Sequence, residues 1–169
     1  MPDAEMIEAA QALLDLCLKK KLTLAVAESC TGGLLAATLT EIPGSSRVVD
    51  RGYVTYSNEA KQQIGVAVAT LERYGAVSRE TAEAMAKGAL TNAGVELAIS
   101  ITGIAGPGGG TPEKPVGLVH FTAAAARSGK LVHHEHRFGD IGRADVRRRS
   151  VLQAIAMLRE LAEAEPTTQ

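Results

Sequence analysis

Two short apolar runs, residues 23–27 and 97–101, constrain the fold of this chain more than any other feature of its sequence. An apolar run of this length is typical of a β-strand that is buried on both faces, as in a parallel sheet covered by helices. The first run follows residues 4–20, where apolar residues recur at helical spacing and Asp3 is the expected N-cap. The sequence therefore predicts an α/β protein.

The remaining elements are predicted from the same patterns and from turn residues. Further strands are predicted at residues 48–56, 116–124 and 131–138, with the last two joined as a hairpin at Ser128-Gly129. Helices are predicted at residues 34–41 and 58–64, after Ser78, and at about residues 143–163, and residues 166–169 are predicted to be a frayed tail. This order predicts a three-layer α/β/α sandwich with a mixed, mostly parallel sheet, in a single domain of residues 1–169.

Composition and charge exclude several classes of protein. The formal net charge of -1 gives no global field that would attract nucleic acid or an anionic membrane. No apolar run is long enough to span a bilayer, and the start of the chain carries Asp3 and Glu5 in place of an apolar signal core. The two cysteines, Cys17 and Cys30, form no CxxC pair and suit a reducing compartment. We expect a cytoplasmic protein without a nucleic-acid or membrane partner.

Residues 28–33, Glu-Ser-Cys-Thr-Gly-Gly, lie between the first predicted strand and a helix. Such a turn stands at the carboxyl edge of the sheet, where ligands bind in open α/β folds. Ser29 is a candidate nucleophile there, and the free N–H groups at about residues 30–33 are a candidate oxyanion hole. The two glycines would let a substrate approach the backbone closely. A turn with a Ser or Thr cap and no chemistry explains the same residue types.

A serine nucleophile needs a base, and Lys61 is the candidate. It follows the second predicted strand, so it reaches the same sheet edge as Ser29 if the two strands are parallel. A lysine base must be neutral, which requires its pKa to fall by about three units, as desolvation in an apolar site can achieve. Tyr56 could orient the amine or relay a proton. The alternative is an ordinary surface lysine.

Other assignments of nucleophile and base stay open at this point. Ser57 lies four residues before Lys61, so the two side chains could pair on one helix turn. Cys30 is a better intrinsic nucleophile than serine, although a small buried side chain fits its position equally well. The histidines all fall in the predicted hairpin, where nothing in the sequence directs them toward Ser29; they are His120, His133, His134 and His136.

A glycine-rich loop, residues 102–111, follows the buried strand at residues 97–101. Its backbone N–H groups could surround a phosphate or ribose, although the spacing is not that of a dinucleotide-binding fingerprint and a flexible loop would show the same composition. Further along, residues 133–136 place His134 and His136 on one face of a strand, with no third metal ligand evident. We therefore expect no metal.

Several motifs, which follow one another over nearly the whole chain from about residue 27 to the last helix, together resemble the CinA C-terminal domain family. The matching segments are residues 27–33 (Ala-Glu-Ser-Cys-Thr-Gly-Gly), 43–46 (Pro-Gly-Ser-Ser), Tyr56-Ser57-Asn58 with Lys61, 75–78 (Gly-Ala-Val-Ser), 102–109 (Thr-Gly-Ile-Ala-Gly-Pro-Gly-Gly) and 114–117 (Lys-Pro-Val-Gly). The resemblance implies a three-layer α/β/α domain that hydrolyses nicotinamide mononucleotide to nicotinic acid mononucleotide and ammonia, in pyridine nucleotide salvage. It also implies a serine nucleophile, a lysine beside it, no cofactor or metal, and a homodimer or higher homo-oligomer.

The predicted site combines the residues chosen for their chemistry with those that the resemblance implies. The candidate catalytic residues are Ser29, Lys61 and Tyr56. The candidate oxyanion and substrate-binding residues are Cys30, Thr31, Gly32, Gly33, Thr102, Gly103, Gly106, Gly108, Arg143 and Arg147. The arginines begin the last helix in a basic cluster with Arg148 and Arg149, which is either an anion site or a solvated helix face.

Two departures from the family pattern affect what the resemblance implies. Ile141-Gly142 stands between Gly139-Asp140 and Arg143, where many members pass directly from Gly-Asp to Arg. Either Arg143 or Arg147 could therefore meet the phosphate. The sequence also has no counterpart of the N-terminal molybdopterin-binding-like domain of longer CinA proteins, so we expect none of that domain's activity.

Two other functions fit the same residues. A nucleotide-binding module without turnover needs only the glycine loop and the arginines. A serine–lysine hydrolase of another amide, such as a peptidase, needs the same pair of residues, together with an extended cleft that the sequence does not show. Ammonia release from nicotinamide mononucleotide separates these alternatives from the deamidase.

Overall fold

The computed structural model describes residues 1–167. Its helices are α1 (Ala4–Lys20), α2 (Leu34–Thr40), α3 (Asn58–Gln63), α4 (Val68–Tyr74), α5 (Arg79–Ala93) and α6 (Arg143–Ala164), with one turn of 3-10 helix at Ser45–Arg47. Its strands are β1 (Leu24–Glu28), β2 (Val49–Val54), β3 (Leu97–Gly103), β4 (Leu118–Ala125) and β5 (Leu131–Arg137). Every predicted strand and helix is present close to its predicted bounds. The end of the predicted tail, residues 168–169, lies outside the described residues.

The strands form a single sheet in the order β2-β1-β3-β4-β5. β1 pairs in parallel with both β2 and β3, whereas the β3–β4 and β4–β5 pairs are antiparallel. Of these strands only β4 therefore runs against the others, which confirms the prediction of a mixed, mostly parallel sheet. β1, β3 and β4 are buried almost throughout, and β2 and β5 are the partly exposed edges.

Helices cover both faces of the sheet, which confirms the predicted three-layer α/β/α arrangement. α1, α2 and α6 pack together on one face, over a core that includes Leu13, Leu35 and Phe121. α5, joined by α4, covers the other face over a smaller core that includes Met85 and Ala98. Within residues 1–167, none of the helices has the length and hydropathy that a membrane span requires.

Both helix caps that the sequence predicts are present. Asp3 Oδ1 accepts the N–H of Met6 at 3.0 Å, and Ser78 Oγ accepts the N–H of Thr81 at 3.1 Å. α4 is absent from the predicted elements. It has only seven residues, and of its apolar side chains Leu71 is buried whereas Val68 and Tyr74 are exposed.

The strand order creates a crevice at the carboxyl ends of β1 and β3. From β1 the chain passes to β2 on one side, and it returns through α3, α4 and α5 to β3 on the other side of β1. Ligands bind in open α/β sheets at such a point, where connections leave in opposite directions. The turn after β1 carries Ser29, and the loop after β3 is rich in glycine. The fold therefore brings both predicted motifs to one place.

α5 passes so close to the end of α3 that no side chain fits at Gly88. A Cβ atom there would lie 1.9 Å from the carbonyl oxygen of Ile64, the residue that ends α3. Lys61 lies one turn earlier on the same short helix. The contact at Gly88 therefore helps to fix the position of the predicted base.

We predict that Gly88→Ala lowers the free energy of unfolding by about 1–3 kcal/mol, the usual cost of overpacking a close contact. In an exposed helix the same substitution would stabilise by up to about 1 kcal/mol, so the sign of the change tests the contact. Lys87→Ala, at an exposed neighbouring position, is the control and should change stability by less than about 0.5 kcal/mol. Denaturant unfolding measures both. A stabilised Gly88→Ala variant would show that α5 does not hold α3 in this way.

Candidate active site

A cavity of about 280 Å³ opens at the carboxyl ends of β1 and β3. Its lining comes from the turn after β1, the segment after β2, the start of α6, the α4–α5 connection and the glycine loop: Ser29, Cys30, Tyr56, Lys61, Arg143, Ala76, Val77, Thr102, Gly103, Ile104, Ala105, Gly106, Gly108 and Gly109. The structure thus brings together the predicted nucleophile, the predicted base and the glycine loop. Four predicted site residues do not line the cavity: Thr31, Gly32, Gly33 and Arg147.

Ser29 follows directly on β1 and is 8% exposed. Its N–H donates to the carbonyl of Ile101 on β3 at 2.9 Å, so the sheet pairing continues through the candidate nucleophile. The N–H of Gly32 donates back to the carbonyl of Ser29 at 3.0 Å and closes a tight turn. Gly33 then adopts a φ of 98°, a conformation that favours glycine over any other residue. This backbone requirement explains why the motif ends in glycine.

Only part of the turn's backbone is free to bind a ligand. The N–H of Gly32 is engaged with Ser29, and that of Leu34 with the carbonyl of Thr31. Over residues 1–167, no oxygen accepts a hydrogen bond from the N–H groups of Cys30, Thr31 or Gly33. Cys30 also lines the cavity next to Ser29. The free donors of the turn therefore begin directly after the candidate nucleophile.

Lys61 is 1% exposed, although its side chain ends in an amine. Nζ lies 3.0 Å from Ser29 Oγ, 2.7 Å from the carbonyl oxygen of Thr55 and 3.3 Å from that of Tyr56. Burial lowers the pKa of this amine from its usual value, because the ammonium form loses its hydration, and the neighbouring Cys30 opposes that effect. The site therefore favours the neutral amine.

The two carbonyl contacts decide which way the neutral amine points. A carbonyl oxygen can only accept a hydrogen bond, so each contact uses one N–H of Lys61. A neutral primary amine has two N–H bonds and one lone pair, and its third neighbour is the Ser29 hydroxyl, which can donate. In its neutral form, Lys61 would therefore turn its lone pair toward the O–H of Ser29, the orientation that a general base requires.

The geometry also separates the rival nucleophiles. Ser57 is the N-cap of α3, and its Oγ accepts the N–H of Ala60 at 3.0 Å, whereas the hydroxyl in contact with the Lys61 amine is that of Ser29. Burial raises the pKa of the Cys30 thiol to about 12. Almost no thiolate forms near neutral pH at that pKa, and the thiolate is the reactive form of cysteine. Of the three candidates, only Ser29 has its reactive group in hydrogen-bond contact with the Lys61 amine within residues 1–167.

Arg143 joins two walls of the cavity at its mouth. Nη1 donates to the carbonyl of Gly106 and Nη2 to the hydroxyl of Tyr56, each at 2.9 Å. Tyr56 is 60% exposed, and it meets the Lys61 amine through its carbonyl and not through its hydroxyl. Arg143 is also exposed. A permanent positive charge thus lies at the rim of the cavity, while the amine of Lys61 lies at the bottom.

Arg147, which lies on α6, supports the turn after β1. Nη2 donates to the carbonyl of Thr31 at 2.9 Å, and a Cβ atom on Gly32 would lie 3.5 Å from that nitrogen. The next arginine, Arg148, pairs with Asp3 and Glu5 at the start of α1 and joins the two helices. The basic cluster of the sequence therefore divides among the cavity rim, the turn and a helix–helix contact.

The connection between α4 and α5, residues 75–78, also lines the cavity, and no prediction from residue chemistry included it. Ala76 and Val77 face the cavity, and Thr102 Oγ1 donates to the carbonyl of Ala76 at 2.7 Å. The one signal for this segment was its place among the motifs that resemble the CinA family. Ala76 and Val77, the two residues of the segment that line the cavity, have no reactive group that would have pointed to a site.

The histidines lie on β4 and β5, away from the cavity. His120 Nδ1 and His133 Nε2 are 2.9 Å apart, whereas His134 contacts Gln153 on α6 at 3.0 Å, so neighbouring residues of β5 face opposite sides of the sheet. None of these rings lines the cavity that holds Ser29. In the part of the chain that the structure describes, no three His, Cys, Asp or Glu residues are grouped to hold a metal ion.

Residues 6–162 match the family model for the CinA C-terminal domain. A putative competence-damage inducible protein of Thermoanaerobacter pseudethanolicus is 50% identical over 158 residues, which are 93% of this chain and 37% of that protein. A CinA-like protein of Mycolicibacterium vanbaalenii is 51% identical over 138 residues, which are 81% of this chain and 32% of that protein. The chain thus spans about a third of the length of these curated relatives.

Solved structures agree with this match. The competence/damage inducible protein CihA of Agrobacterium tumefaciens superposes with a TM-score of 0.93 at 50% identity, over 95% of this chain and 98% of that chain. A CinA superfamily protein of Klebsiella pneumoniae superposes with a TM-score of 0.88 at 34% identity, over 95% of this chain and 99% of that chain. By sequence and by fold, the chain belongs to the CinA C-terminal domain family.

Proposed function

We propose that this protein hydrolyses the carboxamide of nicotinamide mononucleotide, through an acyl-enzyme on Ser29, to nicotinic acid mononucleotide and ammonia. The observation that carries the proposal is the buried amine of Lys61, 3.0 Å from Ser29 Oγ, with two carbonyl oxygens in contact with the same nitrogen. The resemblance to the CinA family supplies the substrate class and a place in pyridine nucleotide salvage.

In the first half of the reaction, Lys61 removes the proton of Ser29 as Oγ attacks the carboxamide carbon. The carbonyl oxygen of the substrate becomes an oxyanion, and the free N–H groups after Ser29, beginning with that of Cys30, stabilise it. The protonated Lys61 then gives its proton to the amide nitrogen. The C–N bond breaks, ammonia leaves, and an ester joins the substrate to Ser29.

In the second half, water replaces ammonia. Lys61 is neutral again and takes a proton from a water molecule as that water attacks the ester carbon. The second tetrahedral intermediate collapses with loss of Ser29 Oγ, which recovers its proton from Lys61. Nicotinic acid mononucleotide leaves, and the free enzyme is restored.

The cavity suits a mononucleotide. Its volume of about 280 Å³ is close to the lower limit for small-molecule sites, roughly 300 Å³. Arg143 keeps N–H donors beyond the two that contact Gly106 and Tyr56, so it can bind a phosphate at the rim. Arg147 faces the carbonyl of Thr31 and does not line the cavity, which favours Arg143 as the phosphate ligand. Binding at this remote end would position the amide for attack.

Ammonia release by the purified protein tests the proposal. Nicotinamide mononucleotide is the substrate, and free nicotinamide, which lacks the phosphoribosyl group, is the matched comparison. We expect turnover of the mononucleotide and much slower turnover of nicotinamide, because the contacts that position the amide are missing. Binding of the mononucleotide without ammonia release would establish a binding module, and turnover of other amides alone would establish a different hydrolase.

We predict that Ser29→Ala abolishes ammonia release while the substrate still binds, because the variant loses only the attacking oxygen. Steady-state ammonia assays and calorimetric titration with nicotinamide mononucleotide measure the two properties. Cys30→Ala is the matched neighbouring variant, and it should keep most of the wild-type rate because its thiol stays protonated. The opposite result for the two variants would make Cys30 the nucleophile.

We predict that Lys61→Met lowers kcat by at least about a hundredfold, the low end of the contribution of a general base. Methionine keeps the length and the apolar stem, so the fold should survive and circular dichroism should be unchanged. Lys61→Arg should fail as well, because a guanidinium stays protonated near pH 7. Lys87→Met, at an exposed lysine of α5, controls for loss of charge. A near-normal rate for Lys61→Arg would show that the residue acts only through its charge.

The pH dependence of kcat/KM reports the protonation of the base. Burial lowers the pKa of Lys61 below its ordinary value of 10.5, and the neutral amine is the active form. Activity should therefore rise with pH and be lost as the pH falls through the lowered pKa. We expect an apparent pKa below 10.5 in the free enzyme. An apparent pKa at the ordinary lysine value would mean that the amine keeps its basicity and stays protonated at neutral pH.

A further inference from the structure

Glu28 is a fully buried carboxyl group at the end of β1, directly before the nucleophile. Oε1 accepts the N–H of Leu35 at 2.8 Å, and Oε2 accepts the N–H of Ala36 at 2.9 Å. None of the ion pairs found within residues 1–167 includes Glu28. A buried carboxylate without a cation is stable only where strong hydrogen bonds replace its hydration. The two backbone N–H groups are therefore its main support.

These two N–H groups belong to the first turn of α2. The first N–H groups of a helix have no partner within the helix, and a residue just before the helix usually caps them. Gly33 occupies that position in α2 and provides no side-chain cap. Glu28, at the end of β1, caps the helix instead. Its negative charge lies at the positive end of the helix dipole, where it is favourable.

The segment that this contact encloses is the nucleophile turn. Residues 29–34 lie between the backbone of Glu28 and the N–H groups that its carboxylate binds. We infer that Glu28 is a positioning residue for the reaction: it closes the turn and so holds Ser29 Oγ against Lys61 with the N–H groups of Cys30 and Thr31 left open. This inference rests on the proposed function, in which Ser29 is the nucleophile.

The same contact decides where an anion can bind. Glu28 occupies the N–H groups of Leu35 and Ala36 with an anion of the protein itself. These two N–H groups are therefore not available to bind a substrate phosphate. Two other hydrogen bonds also hold the turn. The N–H of Ser29 donates to the carbonyl of Ile101, and Arg147 donates to the carbonyl of Thr31. Glu28 differs from these two contacts because its side chain ties the end of β1 to the first turn of α2, the helix that follows.

Glu28→Gln tests the inference, because it keeps the shape of the side chain but removes the charge and one acceptor. We expect kcat for ammonia release to fall by about ten- to a hundredfold, as for a small misplacement of a reacting group, with KM little changed. The rate at which a fluorophosphonate modifies Ser29 should fall by a similar factor, since that reaction also needs the activated hydroxyl. Asp3→Asn is the matched control, because Asp3 is the carboxylate cap of α1 and does not line the cavity. It should change thermal stability alone.

The outcomes separate a positioning role from a structural one. A Glu28→Gln variant that melts earlier but keeps wild-type kcat and labelling rate would overturn the inference, as would an equal loss of kcat in Asp3→Asn. If Glu28→Gln does not fold, Glu28→Asp keeps the charge and withdraws the carboxylate by one methylene, and it must show the loss of kcat and of labelling in folded protein. Should the wild type release no ammonia, the proposed function fails, and Ser29-dependent labelling alone then decides the role of Glu28.

Discussion

The burial of the Lys61 amine is the constraint on which the rest of the site depends. A lysine that is 1% exposed has no hydration shell for an ammonium ion, so the protein must supply acceptors or lower the pKa. It does both, because the carbonyls of Thr55 and Tyr56 receive hydrogen bonds from the amine and desolvation favours the neutral form. With both carbonyls engaged, the neutral amine would have its lone pair left for the hydroxyl of Ser29.

The sheet supplies the parts of the site from three adjacent parallel strands. β1 ends at Ser29, β2 leads into the two carbonyls and Lys61, and β3 leads into the glycine loop. All three strands point the same way, so their carboxyl ends meet at one edge. β4 runs in the opposite direction and pairs with β5, and that hairpin carries histidines that stay outside the cavity. The helix that bears Lys61 is short, and Ile64 at its end lies directly against α5 at Gly88.

Elements with a repeated apolar pattern could be predicted from the sequence, and their bounds are close to the observed ones. α4 could not, because it buries only Leu71. The pairing of Ser29 with Lys61 followed from residue chemistry once β1 and β2 were assumed to be parallel, which they are. The contacts of Glu28 and Arg147 could not be predicted, because both side chains bind backbone groups. The caps at Asp3 and Ser78 stand directly before their helices and are recognisable for that reason. Glu28 and Arg147 bind backbone groups 7 and 116 residues away, and no local sequence pattern marks such a contact.

The charges around the cavity favour one orientation of a ligand. Two N–H groups of α2 bind the carboxylate of Glu28. Burial shifts the Lys61 amine, at the bottom of the cavity, toward its neutral form, while Arg143 remains cationic at the rim. A nucleotide substrate with its phosphate at the rim would therefore place an uncharged carboxamide beside Ser29. In the proposed reaction, hydrolysis would replace that amide by a carboxylate, whose charge would raise the pKa of Lys61 and favour its ammonium form. Lys61 would then be unable to act as a base until the acid product has left.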